Sequence, residues 1–369
     1  MVWTRRYDIC VAYYSKLVLR EQSKPSTAKC NRSLYILFLL AEPKYVSCLR
    51  LSKVMKNLSH DSVNRFLLRE NYTPEDLFDE VKSELSLEGG IISVDDSVLD
   101  KPYSNPQKSQ LIDYFWSGKH KKSVKGINLI TLYYTDILGV SYPINFRIYD
   151  KREEKTKNDY FREMVKEVQA WGIKLAWGTG DSWYSSLENL KFLRNEKVGF
   201  LFAIANHRRV SPQKGQFLRV QELDIPESGL MVYLREFGWV KVFCQNFNNS
   251  IGYAGATPAS LSFKDEVRHY IMYQPEENEL REIDRQKFRT IHDAHWQIES
   301  FHRVIKQVCN IERFQVRTES GIRTHLFCAL QAFSRLQTMR VEGLIDNLYQ
   351  VSRQLFVPVI RQFITENLS

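Results

Sequence analysis

One stretch of the chain gathers groups able to move protons and hold phosphate. In TIHDAHWQIESFHRVIKQV, His292, His295, Glu299, His302 and Lys306 recur at alternating steps of three and four, which places them on one stripe of a helix. Ile291, Ala294, Ile298, Phe301, Ile305 and Val308 repeat with the same steps one residue earlier and form an apolar stripe suited to packing on a sheet. A carboxylate among imidazoles and cations gains chemical meaning when other carboxylates meet it. Asp95, read as ending the strand IISV, and Asp181, read as ending KLAWGTG, are the two candidates, and the glycines beside Asp181 permit close approach by a metal or substrate. Three carboxylates of this kind suit two divalent cations, Mg2+ or Mn2+, because hard ions prefer oxygen ligands. Two ions roughly 4 Å apart stabilise both the attacking and the leaving oxygen at a phosphorus centre.

The elements that must position these residues are legible as three regimes. Residues 1–88 have helical spacing, and CLRLSKVMKNLSHDSVNRFLLRE reads as a helix-turn-helix or as two short helices of a bundle, with Ser59 or Asp61 capping the second helix and Asn64 and Arg65 exposed near its start. From Gly89 the grammar turns to strands. GGIISVDDS, GINLITLYYTD and VSYPINFRIYD form an antiparallel trio, followed by a helix with the stripe Tyr160, Phe161, Met164, Val165 and Val168, the strand ending at Asp181, a helix from Ser185 to about Glu196, and the strand VGFLFAIAN. This β-β-β-α-β-α-β order makes the acidic triple far less accidental than three residues drawn from 43 Asp and Glu. Residues 207–283 are again β-rich, 284–345 are helical with one long helix from Asp284 to Val308, and 346–369 form a helical tail.

Composition narrows the class of partner. Hydrophobic residues make up 43% and charged residues 26%, as expected of a packed globular protein rather than a disordered one. The net charge of +9 is concentrated at the start, where residues 1–57 hold eleven Lys and Arg against three Asp and Glu. A basic head on a near-neutral body suits a polyanion, since phosphate neutralisation supplies most non-specific affinity for nucleic acid. The six cysteines form no C-x-x-C pair, which argues against a zinc ribbon and for reduced thiols in the cytoplasm. The apolar run from Leu34 to Ala41 is too short to span a bilayer, so no membrane partner is expected.

Three motifs resemble those of the DDE transposases of bacterial insertion sequences, of the family-four type, a cut-and-paste group whose ribonuclease H-like core is interrupted by a β-strand insertion. VDDS followed by LDKP resembles the first-acid motif and selects Asp95, with Ser97 as its hydroxyl; GTGDSWYSS resembles the second at Asp181; HDAHWQIESFHRVIKQ resembles the third, with Glu299 and Lys306 in the positions of the family's Glu and Lys. Where the family has Tyr and Arg, this chain has His292 and His295, and neutral imidazoles supply less charge to a phosphate than a guanidinium does. Asp96 adjoins Asp95, and strand alternation sends the two to opposite faces. The gap between Asp181 and Glu299 is too long for one helix and one strand, as a β insertion over 207–283 requires.

The resemblance implies an α/β fold: a helical basic DNA-binding region (1–88), a mixed-sheet ribonuclease H-like core (89–206 and 284–345) with the insertion inside it, and the tail. It implies metal-dependent cleavage and strand transfer at the ends of a mobile element, with Asp95, Asp181 and Glu299 as catalytic and metal-holding acids. Lys306, His292, His295, His302, Arg303 and Trp239 are the expected DNA contacts; for Trp239 the alternatives are stacking on an unpaired base and an ordinary place in a strand core. The partners would be terminal inverted repeats and target DNA, met by two protomers in a bacterial cytoplasm, on the nucleoid when bound. Two other readings stay open: a nuclease of the same fold without strand transfer, and a catalytically silent DNA-binding derivative.

Overall fold

A computed structural model of the chain describes residues 29–109, 111–247 and 266–367. Much of the basic head therefore lies outside the described residues. Helix α1 (Arg32–Ala41) begins where the Asn31 side chain accepts from the Leu34 amide, and it buries Tyr35, Ile36, Phe38, Leu39 and Leu40. The apolar run near the start is thus core. Helices α2 (Cys48–Val54) and α3 (His60–Arg69) are capped by Ser47 and Ser59, so Ser59 rather than Asp61 starts the second, and Asn64 and Arg65 are exposed on it. Thr73 and Asp76 close a reciprocal capping box on α4 (Pro74–Val81).

The strands are β1 (Glu88–Asp100), β2 (Asp113–Ser117), β3 (Lys122–Thr135) and β4 (Ser141–Ile148). Helix α5 (Lys157–Ala170), strand β5 (Lys174–Gly180), helix α6 (Leu187–Asn195) and strand β6 (Gly199–Ile204) follow. The short strand β2 escaped the sequence reading because its five residues, DYFWS, alternate too briefly to stand out. After the small β7–β8 ribbon (Arg209–Val210 and Leu218–Arg219) come β9 (Leu230–Leu234), β10 (Gly238–Phe247) and β11 (Glu266–Tyr273). Helices α7 (Glu277–Glu282), α8 (Arg285–Gln307), α9 (Glu319–Val341), α10 (Gln350–Gln354) and α11 (Val357–Asn367) complete the chain.

Among the described residues nine strands form one mixed sheet in the order β2-β3-β1-β5-β6-β11-β10-β9, with β4 also paired to β3. β1, β3 and β4 are antiparallel, whereas β5 joins β1 and β6 joins β5 in parallel, as expected for a ribonuclease H-like core. β11 pairs antiparallel with β6, so β9, β10 and β11 continue the same sheet while β7 and β8 pair apart from it.

Alternation along β1 assigns the two faces. Ile92 and Val94 join the core built from α5, α6 and β6, including the whole α5 stripe of Tyr160, Phe161, Met164, Val165 and Val168. Leu99 joins the opposite core, where Ile298, Phe301 and Ile305 of α8 meet α9 and the N-terminal helices. Those three α8 side chains are at most 1% exposed, and burying each contributes roughly 1.5–3 kcal/mol, which clamps α8 to the sheet. No described helix is long and apolar enough to cross a membrane.

Candidate active site

Asp95 lies within β1 rather than at its end. Antiparallel pairing with β3 continues to Asp100 opposite Gly126, while parallel pairing with β5 stops at Val94 opposite Gly180. The carboxylate therefore sits where β1 loses its neighbour on one edge, and the chain leaving that neighbour begins with Asp181. Gly180 serves packing: an added Cβ would come within 2.8 Å of Val94 Cγ1 and 2.9 Å of Phe202 Cε1. The sequence reading, that this glycine admits metal or substrate, is replaced by one in which it admits the adjacent side chains. Beyond it, Asp181 is exposed at the rim and its Oδ1 accepts from the Trp183 amide at 2.9 Å.

Helix α8 lies across the Asp95 face. Its N-cap is Asp284 and its C-cap Val308, matching the extent read from the sequence. His302 Nδ1 is 3.2 Å from Asp95 Oδ2, so an imidazole from the helix meets the strand carboxylate directly. Burial would raise the Asp95 pKa, but the His302 hydrogen bond, the fields of His302 and His295, and the Asp96 amide together hold it below the ordinary value. Glu299, half-buried one turn earlier, is pushed up by burial and by Asp95, with Arg268, Arg303 and His302 opposing. Asp181 is raised to about 6 by desolvation, then by Asp95 and Asp96. Asp95 thus perturbs both other acids, which ties the three into one electrostatic cluster.

The remaining predicted residues are distributed differently. Burial lowers the His295 pKa to about 4, so this imidazole is neutral near pH 7. His292 is only 9% exposed, stacks on Phe288 and meets the Tyr270 hydroxyl at 3.3 Å, inside an aromatic layer rather than on a phosphate-facing surface. The stripe is geometrically intact, but the face of α8 that carries it is pressed against β11 at one end. Lys306 donates to the Val98 carbonyl at 2.7 Å and pairs with Glu312 at 3.2 Å. Arg303 is exposed. Trp239, on β10, is 37% exposed and packs edge-on against Tyr233.

On the other face, Asp96 is met by three donors. Its Oδ2 accepts from Lys157 Nζ and Asn128 Nδ2, each at 2.7 Å, and its Oδ1 accepts from the Tyr184 hydroxyl at 3.3 Å. Nothing in the sequence pairs these four residues, because they come from β1, β3, α5 and the loop after β5.

Carboxylate oxygens are the donors that Mg2+ and Mn2+ prefer, and the raised pKa values of Asp181 and Glu299 mark negative charge that a cation would relieve. On the same face Ser93 Oγ, Thr131 Oγ1, Thr179 Oγ1, His295 Nδ1 and His302 Nε2 are buried without a hydrogen-bond partner among the described residues. Each such atom costs about 1–3 kcal/mol unless a polar group meets it. The chemistry of the donor set fits hard cations. Among the described residues, however, no three His, Cys, Asp or Glu side chains already stand at metal-holding distances, so ligation requires the acids to draw closer.

The mixed sheet thus carries acids on β1, after β5 and on the helix packed across it. Residues 87–333 match the Transposase DDE domain family, and the chain belongs to it. Among solved structures it is similar to a piggyBac transposase synaptic complex with hairpin DNA, at 13% identity and a TM-score of 0.51, covering 97% of this chain and 77% of that one. At this identity the likeness shows the fold alone. A Drosophila P element transposase strand transfer complex matches at 10% identity, 55% and 49% coverage and a TM-score of 0.29, too low to carry an argument. No curated protein matches the chain.

Proposed function

We propose that this protein cuts DNA at the ends of a bacterial insertion sequence and joins the freed 3′ ends to target DNA, by cut-and-paste transposition. The observation that carries the reading is the match of residues 87–333 to the Transposase DDE domain family, on a fold that sets Asp95 where β1 and β5 part and brings His302 of α8 against it. Asp95, Asp181 and Glu299 would hold two divalent cations, Mg2+ or Mn2+. When bound, these supply Lewis-acid stabilisation of the attacking and leaving oxygens of a phosphodiester. His302 orients the Asp95 carboxylate from the helix side, and His295, neutral near pH 7, leaves the negative charge of the acids largely uncompensated until cations arrive. Arg303, exposed one turn after Glu299, is suited to meet the DNA backbone, Lys306 braces the helix end through Val98 and Glu312, and Trp239 offers a partly open ring three strands from β5. The N-terminal helices and the basic head preceding them would supply sequence-independent affinity. Two protomers, each on one end, would act together in the cytoplasm and on the nucleoid.

The test uses DNA flanking the gene, searched for short inverted repeats and labelled at the 3′ end. Joining of that label to a plasmid in Mg2+ supports transposition. Cleavage without joining would identify a nuclease of the same fold, and binding without either would identify a silent derivative.

A further inference from the structure

We infer that a cleft of about 860 Å3, walled by the loop after β1 and by residues 312–317 after α8, is an anion site for a phosphate ester of nucleotide size. It stands apart from the acids. Asp100 at its edge lies five residues along β1 from Asp95, about 17 Å at the rise of a strand. Four cations line the cleft, Lys44, Lys101, Arg313 and Arg317, against two carboxylates, Asp100 and Glu312. Both carboxylates are met from outside it: Asp100 by His120 Nε2 at 2.7 Å and Lys119 at 3.7 Å, Glu312 by Lys306 at 3.2 Å. The four cations are left in excess, and none of them forms an ion pair among the described residues.

Lys101, from the LDKP segment, is the buried member of the set. Its Nζ donates to the Glu312 carbonyl at 2.6 Å and the Phe314 carbonyl at 2.9 Å, which ties the two walls together, and it lies 3.3 Å from the Phe314 ring centroid. Carbonyls and a ring face supply partial charges only. Burial accordingly pushes the Lys101 pKa down to about 7 against the pull of Glu312, and an anion in the cleft would restore the balance. Ser109 gives a second, independent sign of a ligand. It lines the cleft, it is 5% exposed, and its Oγ has no hydrogen-bond partner among the described residues, a costly state for a buried hydroxyl. Both walls are fixed in advance. The Lys101 amide donates to the Lys125 carbonyl at 2.8 Å and Lys125 Nζ to the Ser104 carbonyl at 2.7 Å. Asn310 Nδ2, leading into the opposite wall, donates to the Leu39 and Glu42 carbonyls at 2.6 and 2.7 Å. Guanidinium forks, an ammonium and a hydroxyl are the donors that phosphate oxygens accept from, and the volume suits one nucleotide, free or within a strand.

The experiment uses the full chain in EDTA, so that no cation bridges phosphate to the acids, and measures retention of dAMP by equilibrium dialysis. Wild type should retain dAMP, inorganic phosphate should displace it, and deoxyadenosine should not bind. Arg317→Ala should weaken retention about tenfold. Ser109→Ala should weaken it about threefold without lowering the thermal midpoint, because the substitution removes an unmet hydroxyl. Neither change touches the contacts by which Lys101 ties the walls. A short DNA duplex then separates the two sources of phosphate. Displacement of dAMP by the duplex, with the same tenfold loss of duplex affinity in Arg317→Ala, assigns the cleft to a DNA strand, and dAMP left in place by the duplex assigns it to a free nucleotide. No retention by wild type, equal retention by wild type and both variants, or deoxyadenosine held as tightly as dAMP would overturn the inference. Strand joining does not enter, so a protein that retains dAMP but joins no DNA ends would overturn the transposition reading alone.

Discussion

Asp95 and Asp96 are neighbours of the same type on one strand, yet the two faces of β1 give them opposite fates. Asp96 meets an ammonium, an amide and a phenol, and its charge is satisfied by residues that pack the sheet. Asp95 faces two further acids, with the His302 imidazole at 3.2 Å, and makes their ionisation harder. One carboxylate is met by three donors, while the other stands among acids whose ionisation it opposes. The difference follows from the two-residue period of a strand, not from any difference in side-chain chemistry.

The sharpest way to break this comparison is activity. Asp95→Asn, Asp181→Asn and Glu299→Gln should each lower Mg2+-dependent cleavage of element-end DNA by about a thousandfold or more, while Asp96→Asn should lower it by no more than about tenfold. Equal losses at positions 95 and 96 would erase the distinction between the faces. The ranking should reverse for folding. Asp96→Asn strands the largely buried Lys157 and should cost about 2 kcal/mol in urea unfolding, whereas Asp95→Asn should cost less than about 1 kcal/mol. Mg2+ should raise the thermal midpoint of wild type and of Asp96→Asn by about 2–4 °C and leave Asp95→Asn unmoved, as differential scanning fluorimetry would record.

The smallest expected effect is on pH dependence. The folded-state pKa of Asp181, near 6, exceeds its ordinary value of 3.8, so the folded protein binds the proton more tightly than the unfolded chain. The resulting penalty is absent below about pH 4 and complete above about pH 6. Without metal, Asp181→Asn should therefore melt about 1–2 °C higher than wild type at pH 7.5, a modest gain because the side chain is solvent-exposed, and the difference should fade as pH drops towards 4. A gain independent of pH would mean that Asp181 is not repelled by its neighbours.

The elements that carry the acids were legible because their signals are local. Ser59, Thr156 and Asp284 cap the helices that the sequence predicts, and the α5 and α8 stripes bury the expected residues. Strand alternation also separated Asp95 from Asp96 correctly. Contacts made across elements were not legible. The closing of His302 on Asp95 depends on how far α8 advances along β1, and the burial of His292 depends on Phe288 and Tyr270 meeting it from two elements.

The unbroken ladder from β6 through β11 to β10 sets a mechanical limit on the enzyme. Because Tyr270 faces Ala203 and Phe243 faces Tyr270 in continuous register, β10 is tied to β6 through β11. It is held at a fixed offset of about 14 Å, three strand spacings from β5. The sheet works as a ruler that sets how far apart these strands stand.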